Sequence, residues 1–108
     1  MLSNSPQVHE SLSAIIYLMH NGQIDGEQVT SMLAIQQQRD RLMATQMQAA
    51  PRPALLIAGG YHAAKDIGVP LHLADLKAEK PLVLLLTTDG ATLTAKQADY
   101  IWSVAAEK

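Results

Sequence analysis

Apolar residues at helical spacing mark the start of the chain as an amphipathic helix. Ser5 and Pro6 are typical of an N-cap and a first helical position, because a serine oxygen accepts from a free amide and proline needs no donor there. The apolar residues that follow fall on one face of a helix: Val8, Leu12, Ile15, Ile16 and Met19. Asn21 and Gly22 are typical of a turn. The pattern predicts a helix that begins at Pro6 and ends before Asn21.

A second helix is predicted after this turn. Asp25 and Gln28 are three residues apart, which is the spacing of a capping box. A looser apolar stripe follows and runs to about Gln48. Residues 50–53 contain two prolines, which must end the helix because proline removes a backbone donor and restricts the residue before it. We therefore expect a helical hairpin over residues 1–50, with two antiparallel helices joined by a short turn.

Short apolar runs replace the helical period after residue 53. Residues 54–58 are continuously apolar and end at a glycine pair, as in a strand that is buried on both faces. Residues 82–86 form a second such run after Pro81, and residues 100–104 are rich in aromatic and β-branched side chains. The chain is therefore predicted to be a single α/β domain over residues 1–108. In it, the helical hairpin is followed by a strand-rich part over residues 51–108, with a small, largely parallel three-stranded sheet and short helices.

Composition narrows the function classes. The 108 residues are 48% hydrophobic and 17% charged, as in a packed globular protein, and the net charge of −2 argues against nucleic acid as a partner. No apolar run is long enough to cross a bilayer, and the first residues lack the basic and apolar regions of a signal peptide. We expect neither a membrane span nor a signal of its own in this chain. The absence of cysteine excludes disulfides, thiolate catalysis and iron–sulfur ligation.

The most informative stretch comes directly after the first predicted strand and consists of Gly59, Gly60, Tyr61 and His62. Paired glycines let the backbone turn sharply and let a ligand approach it closely. Open α/β sheets bind ligands beyond the carboxyl ends of their strands, where Tyr61 and His62 are predicted to lie. The alternatives are a turn histidine that bonds nearby backbone and a tyrosine that covers the end of the sheet with its hydroxyl in water.

This stretch resembles the ChaN family. Members of that family carry a strand, a Gly-x-Gly-His-like turn and a Gly-(Ile/Val)-Pro element, and here Pro70 stands eight residues after His62. Upstream, Asp40 followed by Met43 and Ala44 looks like the family's preceding helix, and residues 99–102 resemble its closing strand. The resemblance covers about residues 36–104.

The resemblance implies haem binding at a dimer interface, with stacked haems, a tyrosine as iron ligand and a histidine near the iron. The candidate haem-binding residues of this chain are therefore His62, Tyr61 and Lys65. The family's tyrosine ligand has no matching position here, so Tyr61, directly before His62, is the only nearby substitute, and the iron ligand could be Tyr61 or His62. Lys65 could offer a positive charge to the propionates. Gly59 and Gly60 would allow close backbone approach. An exposed helical turn also commonly carries charges such as Lys65, so a purely structural role is the alternative.

Two departures from the family pattern are visible. Positions three and five after the histidine are tyrosines in some members and are Lys65 and Ile67 here. The family's N-terminal half, with a Gly-Glu-x-His-like segment, has no counterpart. A role for His72 beside His62 is a further possibility, although His72 lies between two leucines as in an ordinary amphipathic turn.

These observations predict a non-enzymatic haem-binding module of an iron-regulated protein that takes part in iron uptake. We expect the chain to form a homo-oligomer, at least a dimer. The alternative is a fragment or remnant of a hydrolase of the Tiki and erythromycin-esterase type, inactive or interaction-only by itself. Such hydrolases depend on Glu and His pairs from both halves, so enzymatic activity of this chain is not expected. For intact family members the resemblance implies a location in the cell envelope.

Overall fold

The computed structural model describes residues 1–88 and 92–105. A short 3-10 turn, Leu2–Asn4, precedes the helices. The elements that follow are α1 (Pro6–Met19), α2 (Gly26–Ala49), α3 (Gly60–Ala63), α4 (Val69–Asp75), β1 (Leu84–Thr88) and β2 (Tyr100–Val104). No helix among the described residues combines the length and the hydropathy needed to cross a membrane.

The helical hairpin forms for the reasons that the sequence indicated. The side chain of Ser5 accepts from the amide of Val8 at 3.3 Å, and α1 begins at proline. Asn21 and Gly22 have φ angles of 54° and 71°, which reverse the chain after α1. The predicted capping box is confirmed, because each side chain of the Asp25 and Gln28 pair accepts from the other's backbone amide. These two local capping interactions thus determine where α1 and α2 begin.

Two apolar clusters hold the elements together. The larger cluster packs the inner face of α1 against β1 and the loop segments beside it, and its buried members are Val8, Leu12, Ala64, Ile67, Val83, Leu85 and Ala98. The smaller cluster joins α2 to α4 through Ala44, Val69 and Leu73. Leu12 is only 1% exposed, and burying a side chain of this size contributes roughly 1.5–3 kcal/mol. Burial of α1 against β1 therefore places the N-terminal helix over the sheet.

The sheet has two strands among the described residues, where three were predicted. β1 and β2 are parallel, and their register pairs Leu84 with Tyr100 and Leu86 with Trp102. β1 begins two residues later than the apolar run suggested. The carboxylate of Asp99 accepts from the amide of Val83 at 2.9 Å, and the paired register starts at the next residue, Leu84.

The predicted strand over residues 54–58 is not formed, and this part of the prediction is corrected. The segment has no helical or strand pairing in the structure, although alternate side chains face opposite ways. Leu56 packs against the cluster between α2 and α4, whereas Leu55 and Ile57 are 84% and 88% exposed. A strand needs a neighbour for its amides and carbonyls, and the described chain supplies helices on one face only. The continuous run of apolar residues at 54–58 predicted a segment that is buried on both faces, but the structure buries only one of them.

One face of the sheet is apolar and exposed. In a parallel pair, directly paired residues project to the same side, and side chains alternate along each strand. Val83 and Leu85 point into the core, so the opposite face of the sheet carries the remaining large side chains. We call this surface the outer sheet face, and it consists of Leu82, Leu84, Leu86, Tyr100 and Trp102. All five residues are more than half exposed.

Candidate functional site

The glycine pair leads the chain into a single helical turn, α3, directly after the extended segment. The amides of His62 and Ala63 both donate to the carbonyl of Gly59, at 2.9 and 3.1 Å. Gly60 begins the turn and Tyr61 and His62 lie within it. The structure thus places all four predicted residues at the carboxyl end of residues 54–58, but in a helical turn that follows an unpaired segment.

Gly68 fixes the position of this turn relative to α4. A Cβ atom on Gly68 would lie 2.1 Å from the carbonyl oxygen of His62 and 2.9 Å from that of Tyr61. The φ angle of Gly68 is −115°, which any residue adopts. Glycine is therefore required for space alone, since the two backbone segments are in contact. This contact is the physical reason for the spacing between His62 and Pro70, which is the second residue of α4.

His62 is bonded to a buried carboxylate. Its Nδ1 atom lies 2.5 Å from Oδ1 of Asp40, which projects from the middle of α2. Asp40 has no exposed surface, and its Oδ2 atom has no hydrogen-bond partner among the described residues. Burial raises the pKa of Asp40 to about 6, although the hydrogen bond and the charge interaction with His62 oppose this rise. The amide nitrogen of Gln36 lies farther from Nδ1, at 3.2 Å.

An apolar cleft of about 250 Å³ lies beside this pair. Gly59, Gly60, Tyr61, His62 and Gln36 line one side of it. α1 supplies the opposite, apolar wall, which consists of Leu12, Ile15, Ile16 and Met19. We call this space the His62 cleft. An apolar cleft with a histidine in its lining suits haem, since haem iron takes a side-chain ligand while apolar surface holds the macrocycle.

Tyr61 separates this cleft from a second one. The second cleft has a volume of about 300 Å³ and includes Leu85 and Leu86 of β1. Both clefts are lined by Ile15, Gly60 and Tyr61. Tyr61 is 49% exposed, and its hydroxyl makes no hydrogen bond within the described part of the chain. The tyrosine is therefore close to the predicted site but lacks a polar partner that would orient its oxygen.

The side chain of Lys65 is bonded outside the His62 cleft. Its amino group donates to Oδ1 of Asp99 at 2.9 Å, and its backbone amide donates to the carbonyl of Gln97. The hydrogen bond from Lys65 lowers the pKa of Asp99. Lys65 lines neither cleft. The structure thus brings together Gly59, Gly60, Tyr61 and His62 but connects Lys65 to the start of β2.

Sequence analysis did not identify two members of the site, Asp40 and Gln36, as functional residues. They are four residues apart on α2 and so share one face of that helix. Asp40 was noted only as part of the family pattern before the predicted strand. Nothing local indicates that this face meets His62, because the contact joins positions 22 residues apart.

His72 belongs to a different cluster from His62. Its side chain is buried, and Nδ1 accepts from Nε of Arg41 at 3.0 Å. Burial lowers the pKa of His72, and the Arg41 cation lowers it further. Arg41 also contacts Oδ2 of Asp75 at 3.3 Å, and Asp75 accepts from Ser3 and from the amide of Leu2. This cluster attaches the N-terminal turn to α2 and α4.

Comparisons with known proteins identify the family and the fold. A family model described as haem-binding uptake, Tiki superfamily, ChaN, matches residues 1–73. No curated protein matches the chain. The solved structure of ChaN from Campylobacter jejuni, which concerns cofacial haem binding, is similar with a TM-score of 0.81 and 33% sequence identity. The match covers 94% of this chain and 40% of that chain, so this chain spans less than half of that protein's length. The family match also includes the N-terminal hairpin, beyond the residues 36–104 on which the motifs were recognised.

Proposed function

This chain belongs to the ChaN family of haem-binding uptake proteins in the Tiki superfamily, and we propose that it is a non-enzymatic haem-binding module of an iron-uptake system. The observation that carries this proposal is the contact between Asp40 and His62 beside an apolar cleft. His62 and Tyr61 are the proposed haem-binding side chains, and Gly59 and Gly60 allow the ligand to approach the backbone. Regulation by iron and a cell-envelope location of intact members belong to the same proposal.

Lys65 can bind haem only after it changes its ion-pair partner. Its ammonium group is bonded to Asp99, so it must exchange that partner for a haem propionate. Both side chains are 23% exposed, so water can assist the exchange. The difference between two partially exposed ion pairs is small, within about 1 kcal/mol. We therefore assign Lys65 a secondary contribution to haem binding.

The size of the His62 cleft supports an oligomer. Pockets that enclose a small molecule usually measure about 300–1,000 Å³, and the His62 cleft measures about 250 Å³. It therefore surrounds only one edge of a macrocycle as large as haem. A second copy of the chain would cover the remainder, so we propose a homo-oligomer, at least a dimer, with haem between the copies.

The proposal is tested by titrating the purified chain with haem. We expect a Soret shift that saturates at one haem per chain, and light scattering that reports at least a dimer in the haem-loaded state. Absorbance that rises without saturation would contradict haem binding. A titration that saturates while light scattering reports a monomer would support haem binding and contradict the oligomer.

The alternative is a remnant that binds other protein surface and no haem. The exposed outer sheet face favours it, because five large apolar side chains form a contiguous surface of a kind that usually marks an interaction site. The same titration separates the two functions. A chain that self-associates through this face without a saturating Soret shift would support the alternative.

A further inference from the structure

The N-terminal turn, Leu2–Asn4, is attached to the helices by polar side chains. The carboxylate of Asp75 accepts from the amide of Leu2 at 2.6 Å, and from both the amide and the hydroxyl of Ser3. From α2, the side-chain amide of Gln37 donates to the carbonyl of Ser3 at 2.6 Å. The turn is three residues long, and Ser3 is its buried residue. Its attachment therefore depends on the polar cluster around Asp75.

Arg41 connects Asp75 to His72. Its guanidinium lies 3.3 Å from the Asp75 carboxylate, and its Nε atom donates to Nδ1 of His72 at 3.0 Å. A guanidinium carries donors only, so Nδ1 holds a lone pair and the neutral ring carries its proton on Nε2. His72 is 4% exposed, and Nε2 has no hydrogen-bond partner among the described residues. Only the neutral form of His72 fits this arrangement.

A second proton on His72 would break these contacts. The proton must bind at Nδ1, which would then be a donor that faces the Arg41 donor. Burial and the Arg41 cation from α2 both disfavour the imidazolium, whereas Asp75 on the same helix favours it, and the net effect lowers the pKa of His72 below its ordinary value of 6.5. The N-terminal turn contributes no ionisable side chain. An opened cluster binds the proton more readily, so the closed cluster loses stability as pH falls below 6.5.

The N-terminal turn is the element that can move away most easily. α4 packs against α2 and against this turn. The contact between α2 and α4 contains an apolar cluster of Ala44, Val69 and Leu73. The turn has no such cluster, and local opening takes place where few apolar side chains are buried. Separation of the turn from α4 therefore needs less free energy than separation of the two helices.

We propose that His72 is an acid-sensitive latch for the N-terminal turn. When Nδ1 takes up a proton, the hydrogen bond from Arg41 is lost, the two cations repel each other, and residues 1–4 leave α4. The turn leads directly into α1, whose apolar face forms one wall of the His62 cleft. The latch thus controls how firmly the start of this wall is attached. It goes beyond the proposed haem binding and does not depend on it.

The test is an NMR titration of the isotope-labelled chain without haem, from about pH 7.5 to about pH 4.5, the range in which histidines change charge. The His72 ring should titrate below pH 6.5, and the amide resonances of Leu2 and Ser3 should move with the same midpoint. Their order parameters should fall from about 0.85 to below about 0.6 as the turn is released. Asp75 cannot cause this transition, because its pKa lies below the ordinary value of 3.8.

Matched variants identify the group that titrates. His72→Asn keeps an acceptor near the position of Nδ1 and takes up no proton, so the turn should stay ordered over the whole range. His20→Asn makes the same change at the C-cap of α1 and should keep the acid transition. The ring of His9 contacts the side chain of Asn4 at 2.9 Å, so His9→Ala is measured as well and should also keep the transition.

Two kinds of result would overturn the latch. One is an acid transition of the turn that survives in His72→Asn or disappears in His9→Ala. The other is found in the wild type alone, and it decides the question if His72→Asn does not fold: the His72 ring titrates without loss of order in the turn, or the two midpoints differ. Because haem is absent from these measurements, their outcome is independent of the haem titration.

Discussion

Replacing Gly68 with alanine tests the backbone contact on which the site depends. The added Cβ would lie 2.1 Å from the carbonyl oxygen of His62, whereas carbon–oxygen contacts in proteins are about 3.3–3.6 Å. The start of α4 and the α3 turn must therefore separate by roughly 1.2 Å. Neither side of the contact is a flexible side chain, so rotamer changes cannot relieve it.

The expected cost follows from overpacking. Inserting a methyl group into a packed interior costs about 1–3 kcal/mol, and a backbone clash belongs at the upper end of that range. Removing a glycine also restricts the unfolded chain, which returns about 0.4–1 kcal/mol. The net loss of about 2 kcal/mol should lower Tm by roughly 8–16 °C in a chain of this size. NMR resonances of the His62 ring should shift as well, because its distance to Asp40 changes.

Gly26→Ala is the matched control. A Cβ at Gly26 would have nothing within 4 Å, and the residue is the first of α2. This variant should be unchanged or slightly more stable. Thermal unfolding followed by circular dichroism measures both variants. A Gly68→Ala protein that melts with the wild type, with an unchanged His62 spectrum, would show that the two segments do not touch as described.

Three further perturbations address stability and association. Burial alone would raise the pKa of Asp75, but hydrogen bonds from Ser3 and Leu2 and the charge of Arg41 outweigh it and lower the pKa. Its stabilisation is therefore present above the unfolded pKa and lost as pH falls through the lowered folded pKa, so Asp75→Asn should cost on the order of 2–3 kcal/mol at pH 7, and the gap to the wild type should shrink as acid protonates the carboxyl in urea melts; a gap that is independent of pH would contradict this. Leu12→Ala should lower the urea midpoint, with a loss of about 2–5 kcal/mol and an unchanged m-value, and an unaffected midpoint would mean that α1 does not pack on β1. Trp102→Lys should shift the protein toward the monomer in light scattering if the outer sheet face joins copies of the chain, and an unchanged mass would exclude that face.

The helical hairpin illustrates what local sequence can predict. Ser5, Asp25 and Gln28 act within a few residues of their own backbone, and the Asn21 and Gly22 turn needs only its own φ angles. These interactions do not depend on the rest of the fold. The bounds of α1 and α2 were therefore predicted to within a residue or two.

The sheet shows where hydrophobicity misleads. Residues 54–58 and 82–86 have the same apolar character, yet only the second run takes part in a ladder. Apolar composition reports that a segment tends to be buried, but it does not say which neighbour covers it. The start of β1 lies beside a bond between the Val83 amide and the Asp99 carboxylate, which hydrophobicity does not reveal. The described chain contains no strand that pairs with residues 54–58.

The amino-acid sequence by itself determined the helix caps, the turn after α1 and the position of the Gly-Gly-Tyr-His stretch, because each depends on interactions between residues close in the chain. It also carried the family resemblance that the comparisons confirmed. Only the tertiary structure decided that His62 is bonded to Asp40, that Lys65 is bonded to Asp99 and that Gly68 touches the His62 backbone. Most of these contacts join residues far apart in the chain, and they exist only because the packing of the elements around the α3 turn brings their atoms within reach.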